Sequence, residues 1–307
     1  MSGARRGVLE VLGAAALFGT TGTAASFAPA SASAQAIGAA RLVIGGAGLL
    51  FVLPMLGGSR RGAIGLWRSR WGVGAGVMTA LYQLAFFAGV ERAGVALATL
   101  VTIGSGPVLV GLLSLSLLGE RPTGGWWLAT AVAVGGLLLL GFDGADRPTV
   151  DLLGMLLALV SGLGYAAYTV VAKRLLNDGH APPEVMAAAF GLGGALMLPL
   201  LLLGGIAWLA SLEGALVALW LGLATTTVAY VLFGRGLREL PAGPAATLVL
   251  AEPLVATALG VLLLGERLGP AGWMGAMAIT LGLGLQGVVS VRALRGERQN
   301  VVEGAVG

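Results

Sequence analysis

Cysteine is absent from this 307-residue chain, which excludes disulfides and thiolate metal centres. Histidine occurs once, as His180, among Asn177, Asp178, Pro182 and Pro183, a loop setting rather than a cluster of ligands or bases. Without cysteine and with one histidine, most metal-assisted or nucleophilic group-transfer chemistry lacks its reacting groups, so no enzyme activity, metal or cofactor is expected. Charge is also scarce. Asp, Glu, Lys and Arg make up 10% of the residues, against roughly 25% in a soluble protein. Such a chain cannot clothe a globule in polar surface, so lipid must be its outer solvent. The formal charge of +4 does not point to nucleic acid, because the basic residues fall in short breaks between apolar runs and form no stripe. No Walker motif is present, and the glycine-rich stretches lie inside apolar runs, which excludes a soluble phosphate-binding loop.

What the chain has in abundance is apolar length: 57% of residues are hydrophobic and the mean hydropathy is +0.93. A membrane-crossing helix needs about 20 mostly apolar residues. Ten such runs are read, over 8–27, 35–56, 71–90, 94–118, 124–142, 151–172, 184–208, 212–234, 243–264 and 270–291. They must be helical, since an isolated strand in lipid leaves its backbone unpaired. The first run follows Arg5 and Arg6 and leads into Ala28–Ala34, a small-residue stretch like a signal-peptide cleavage site. It is kept as a span because the repeat below needs it.

Cationic residues set the expected orientation. With the N-terminus in the cytoplasm, inner segments carry fourteen: Arg5, Arg6, Arg60, Arg61, Arg68, Arg70, Arg121, Lys173, Arg174, Arg235, Arg238, Arg292, Arg295 and Arg298. Outer segments carry three, Arg92, Arg147 and Arg267, and Arg41 lies within span two. Both termini of a multi-pass protein of the cell membrane are therefore expected in the cytoplasm.

An internal repeat organises the ten runs. Span four reads from Pro107 to Gly119-Glu120-Arg121, and span nine from Pro253 to Gly265-Glu266-Arg267, an offset of 146 at both ends. Trp126-Trp127 and Trp273 follow in the next spans, Pro54 matches Pro199, and Phe18 matches Tyr165 at an offset of 147. Five spans per half force the second half to enter the membrane from the opposite side, the plan of many secondary transporters. The predicted architecture is all-α and integral to the membrane, ten transmembrane helices as two inverted five-helix repeats. Residues 1–145 form the first, 146–292 the second and 293–307 a cytoplasmic tail. The joint from Asp143 to Asp151 is read as a short outer loop. Glycine, at 53 residues, is read as helix packing, with small stripes at Ala15-Gly19-Thr23, Ala131-Gly135 and Gly222-Thr226.

These residues resemble the EamA-type ten-span transporters of the drug/metabolite transporter superfamily, over nearly the whole chain. The doubled Pro…Leu-Leu-Gly-Glu-Arg ending of spans four and nine carries the resemblance. Phe18-Gly19-Thr20, Arg41 and Glu252-Pro253 add to it. The chain departs from the family pattern at Phe18, where Trp is usual, and at Gly106-Pro107, which lacks the glutamate of span nine. The resemblance implies a cavity between the halves, opened alternately to each side, and transport of an amino acid, metabolite or drug, often outward. Smaller members of the superfamily dimerise, but a duplicated chain can close its own cavity, so a monomer is expected.

Ionisable groups within a bilayer are costly, about 2.5–3.5 kcal/mol at a helix centre, and face the bundle interior or water. Glu252, in mid-span, either binds a cationic group or exchanges a proton, or else satisfies backbone freed by Pro253. Arg41 either holds a substrate carboxylate at the cavity mouth or snorkels to the headgroups. Glu10 is read as interfacial, and Glu120 and Glu266 as capping span ends, paired with Arg121 and Arg267. Tyr82, Gln83, Tyr165, Tyr168 and Tyr230, with Thr20, Thr21, Thr23, Thr225, Thr226 and Thr227, are neutral mid-span groups suited to a moderately polar cavity or to helix–helix hydrogen bonds. Pro107 and Pro253 are matched helix breaks. A channel or a membrane enzyme is the competing reading; no charged ring or filter sequence supports the first.

Overall fold

Several spans begin or end where the chain supplies groups for the backbone that a helix leaves unpaired. Side-chain oxygens of Ser33, Ser69 and Asp151 accept amide protons at the starts of the second, third and sixth spans. The Gly154 N–H, before other causes, holds the Asp151 carboxyl below the usual range, and Arg92 adds to this through a 3.2 Å ion pair. The repeated Gly-Glu-Arg is a helix terminator. Gly119 and Gly265 both take φ +70°, a left-handed turn that glycine adopts without steric cost. The chain then folds back, and the Glu120 N–H donates to the Ser114 carbonyl at 3.2 Å, as the Glu266 N–H does to Gly260 at 3.1 Å.

The computed structural model describes residues 3–143 and 151–304, and every element in them is helical. Ten helices are long and apolar enough to cross a membrane: Gly3–Ser26, Ala34–Leu56, Arg70–Ala93, Leu97–Leu117, Gly124–Gly141, Leu152–Asn177, Pro182–Leu203, Leu212–Glu239, Ala242–Leu263 and Pro270–Val291, spans one to ten in order. The protein is a multi-pass membrane protein with the expected all-α plan. Short helices at Arg60–Leu66 and Ala207–Ala210 sit in connections. Most of the expected outer joint, residues 144–150 with Arg147, lies outside the described residues.

Several boundaries move. Spans six and eight run on to Asn177 and Glu239, so Lys173 and Arg235 belong to helices rather than to loops. Helix continues there because neighbouring spans satisfy the polar groups, as Lys173 shows below. Span seven stops at Leu203, short of the predicted 208. The last helix extends to Gly304, into the segment read as a tail.

The two halves are interleaved. The largest helix interfaces all join one half to the other: three with six, five with ten, two with seven, four with six, one with eight, three with seven, one with nine and two with eight. Exchanging the halves maps three–six onto eight–one, four–six onto nine–one, and three–seven onto eight–two. It leaves five–ten and two–seven unchanged. This is the contact pattern of a two-fold axis in the membrane plane.

Glycine permits these approaches. A Cβ on Gly136 would stand 2.6 Å from the Gly275 carbonyl oxygen, and one on Gly275 would stand 2.6 Å from that of Gly136. The small face of span five is thus one residue away from the predicted Ala131-Gly135 stripe: Gly135 has open space around it and Ala131 is exposed. The Ala15-Gly19-Thr23 stripe is buried as read, and Gly222 packs on Ile44.

Packing is uneven between the membrane faces. Ten spans return the chain to the face where it starts. At that face span six is buried from Tyr168 to Leu176 apart from half-buried Arg174, and span nine from Ala245 to Leu250. Toward the opposite face, Leu152, Leu153, Leu156 and Leu159 of span six are exposed, as are Leu262 and Leu263 of span nine.

Replacing Gly275 by leucine is expected to overpack the span five–ten contact and cost about 1–3 kcal/mol. The same change at Gly284, which has open space, should leave stability unaltered. Thermal midpoints of the two purified variants compare them directly.

Candidate functional site

Five spans bring aromatic rings together at mid-membrane. Tyr82 of span three lies 6.3 Å from Tyr165 and 6.4 Å from Tyr168 of span six, centroid to centroid. Tyr168 lies 5.7 Å from Phe190 of span seven and 6.3 Å from Tyr230 of span eight. Phe190 and Tyr230 are 3.7 Å apart, and Phe18 of span one packs 4.9 Å from Tyr230. The hydroxyls of Tyr165 and Tyr168 and the Thr169 Oγ1 are buried without a hydrogen-bond partner. Unpaired buried hydroxyls are costly, so this cluster holds polar capacity that the protein does not use.

The two mid-span charges border the cluster. Arg41 of span two points inward. Its Nε donates to Thr226 Oγ1 at 3.2 Å and its Nη2 to the Thr225 carbonyl at 3.4 Å. It therefore does not snorkel to the headgroups: span eight offers acceptors closer than the interface. Glu252 is half-buried and within electrostatic reach of Arg41, Tyr82 and Tyr165. Among the described residues its carboxylate forms no ion pair or hydrogen bond.

Irregular backbone positions both charges. Span eight is a π-helix over Trp220–Val228, and the Thr226 and Thr227 hydroxyls donate back five residues, to Leu221 and Gly222. A wider turn presents consecutive threonines to span two, where Thr227 also donates to the Gly45 carbonyl at 3.1 Å. Such widenings often occur at functional sites. Span nine is interrupted at Val249-Leu250, and its second helix, Ala251–Leu263, starts with Glu252 in the first turn. Pro253 costs little there, because first-turn amides have no partner inside the helix. Span four, by contrast, continues through Pro107 from Val95 to Leu117. The matched prolines thus accompany a break in one half only.

Symmetry and asymmetry meet at Glu252. A Cβ on Gly19 would stand 2.7 Å from the Glu252 carbonyl oxygen, and one on Gly106 would stand 3.3 Å from the Tyr165 ring. Gly19 and Tyr165 are related by 146 residues, as are Gly106 and Glu252. At one of the two equivalent contacts glycine meets the Glu252 backbone and the Val255 side chain, and at the other it meets the Tyr165 ring. The contacts thus pair Tyr165 with Gly19 rather than with Phe18.

Among the other expected residues, Thr20 accepts from Trp220 Nε1 at 3.0 Å. Gln83 is buried but makes no side-chain hydrogen bond among the described residues. Glu10 pairs with Arg6 at 3.1 Å. Glu120 does not pair with Arg121: its Oε2 accepts the Ala242 N–H at 2.8 Å, capping span nine. Burial pushes its carboxyl above the usual range, against the pull of that N–H and of Lys173. Phe190 and Lys173 were not singled out as site residues by sequence. Phe190 sits in an apolar run and carries no signal, whereas Lys173, with Arg174 beside it, is legible as a cationic end to a hydrophobic segment.

The EamA-like transporter family profile matches residues 5–142 and 152–287. An uncharacterized transporter of Bacillus subtilis, YwfM, is 39% identical over 275 residues, covering 90% of this chain and 91% of that protein. An uncharacterized inner membrane transporter of Salmonella typhimurium, YicL, is 25% identical over 291 residues, covering 91% of this chain and 94% of that one. One solved crystal structure superposes with a TM-score of 0.79 at 21% identity, over 94% of this chain and 98% of its own.

Thr226→Val removes the acceptor of Arg41 Nε and should cost about 0.5–2 kcal/mol, the range of hydrogen bonds between membrane helices. Thr226→Ser keeps the acceptor and is expected to hold the wild-type thermal midpoint.

Proposed function

The chain belongs to the EamA-like transporter family, and on that footing we propose that it is a secondary carrier exporting a small organic solute by alternating access. It is a transporter and not an enzyme; solute, direction and coupling are the finer reading. One observation carries that reading. Arg41 and Glu252, of opposite sign, approach from different halves, interact through space, and are not joined in an ion pair. Two unjoined charges of opposite sign suit a small zwitterion, with its anionic end on Arg41 and its cationic end on Glu252. Charge-assisted hydrogen bonds would then replace the hydration such a solute leaves behind. Tyr82, Tyr165, Tyr168, Phe190 and Tyr230 supply apolar faces for its side group, and the Tyr165 and Tyr168 hydroxyls are left to bind it, which suits an amino acid or an amphipathic metabolite or drug.

Glu252 also suits proton coupling. A carboxylate that a proton neutralises inside a low-dielectric centre changes its hold on a cation, so proton entry and solute release become alternatives at one group. The protein works as a monomer, since both halves of the cavity are in one chain. It lies in the cell membrane with both termini in the cytoplasm, in keeping with fourteen cationic residues on inner segments against three on outer ones.

Purified protein in liposomes should show saturable flux and counterflow of zwitterionic amino acids or amphipathic amines. Conductance without saturation would mean a channel instead. Glu252→Gln is expected to lower the rate by about tenfold or more, the loss of a contact worth at least 1.4 kcal/mol in the loaded state, and to remove its pH dependence. An unchanged rate with an unchanged pH profile removes Glu252 from the mechanism.

A further inference from the structure

The termini-bearing face holds a cluster that the site above does not use. Lys173 is the sole lysine of the chain and is 6% exposed. Its Nζ donates to the Leu237 carbonyl at 2.9 Å and to that of Arg238 at 3.3 Å. These are last-turn carbonyls of span eight, which a helix end leaves without partners, and a cation there is favoured. Glu120, at the end of span four, holds the first amide of span nine, and lies with Glu239 within electrostatic reach of Lys173. Two acidic residues and one buried lysine thus tie the ends of spans four, six, eight and nine. Each hydrogen bond of the cluster, Glu120 to Ala242 and Lys173 to span eight, spans two helices.

Beside this cluster, between the ends of spans four and five and those of spans nine and ten, is a partly open cavity of about 80 Å³, lined by Ser114, Glu120, Arg121, Trp126, Gly243 and Ser290, among others. The Nε1 of Trp126, itself 1% exposed, has no partner. The opposite face has no counterpart to the lysine. At the offset of 146 the equivalent of Lys173 is Phe27, which is 61% exposed. The more tightly packed face therefore holds the one buried cation among the described residues, and the symmetry-related position on the opposite face has none.

We propose that Lys173 and Glu120 are positioning residues that latch the termini-bearing face shut, and that the cavity beside Trp126 is the inner end of the solute route, exposed when the latch opens. Each latch bond is made to a backbone group that moves with its helix. Separating spans four and six from eight and nine breaks both bonds together, which makes closure an all-or-none event at this face. The proposal rests on the carrier reading, but its test reads conformation and needs no solute.

The absence of native cysteine makes that test clean. Ser290→Cys reports the cavity beside the latch, and Thr20→Cys, next to the Gly19 contact with Glu252, reports the opposite side of the latch. Each is placed singly in the full chain, in lipid nanodiscs that leave both faces accessible, and labelled with a polar maleimide. Lys173→Met is expected to speed labelling at Ser290→Cys by about tenfold and to slow it at Thr20→Cys, as a shift between two states requires. Glu120→Ala should act in the same direction, while Lys173→Arg and Glu120→Gln, which keep a donor and an acceptor, should stay near the parent rates. Faster labelling at both reporters would mean loosened packing rather than a latch and would overturn the proposal. So would unchanged labelling at both.

Discussion

Helices in lipid gain little from hiding apolar surface against one another, because the acyl chains they displace are as apolar as they are. Close backbone contact and interhelical hydrogen bonds must hold the bundle instead. In this protein the largest helix interfaces are placed between the two halves. Gly136 meets Gly275, Gly222 meets Ile44, and Thr227 reaches the Gly45 carbonyl. The halves are thus units of sequence more than of packing, and the surface between them is the middle of the molecule. Any route for a solute has to run there, because the contacts that could part without exposing a half-helix to lipid are those same contacts.

A symmetric frame needs an asymmetric centre to bind an asymmetric solute. Here the break is local. Two equivalent helix contacts each consist of one glycine and one larger residue, but the larger residue is Glu252 in one and Tyr165 in the other. Glycine makes the exchange possible, since it lets either helix backbone come close whichever partner carries the bulk. A charge then sits on one side of the axis, an aromatic face on the other, and Arg41 is drawn across by span eight.

The irregular backbone follows from the same constraint. Unpaired carbonyls inside a membrane are tolerated where protein or a cavity satisfies them. The π-helical turn of span eight carries its Thr225 carbonyl to Arg41, and the interruption of span nine sets Glu252 at the start of a new helix. At the termini-bearing face, Lys173 and Glu120 close two further helix ends. Arg41, Lys173 and Glu120 are thus each matched to an irregularity or an end of a neighbouring helix.

Ten spans, the inverted duplication and the family were legible in the sequence, because hydropathy in a membrane is a direct record of which backbone must pair with itself, and because Pro107/Pro253 and the two Gly-Glu-Arg ends keep one spacing. Glu252, Arg41 and the tyrosines were legible as candidates for the same reason: a polar residue in an apolar run is conspicuous. Their partners were not. Nothing local says that Arg41 would meet Thr225 and Thr226 some 185 residues away, that Phe190 would stack on Tyr230, that Gly136 rather than Gly135 is the packing residue, or that span nine breaks ahead of its proline while span four does not. Those outcomes depend on helix rotation and on which backbone groups a distant span can satisfy. The sequence by itself determined how many times the chain crosses and where charge is buried. Tertiary structure alone decided what each buried charge touches, because in lipid a polar group takes the nearest acceptor that packing brings to it.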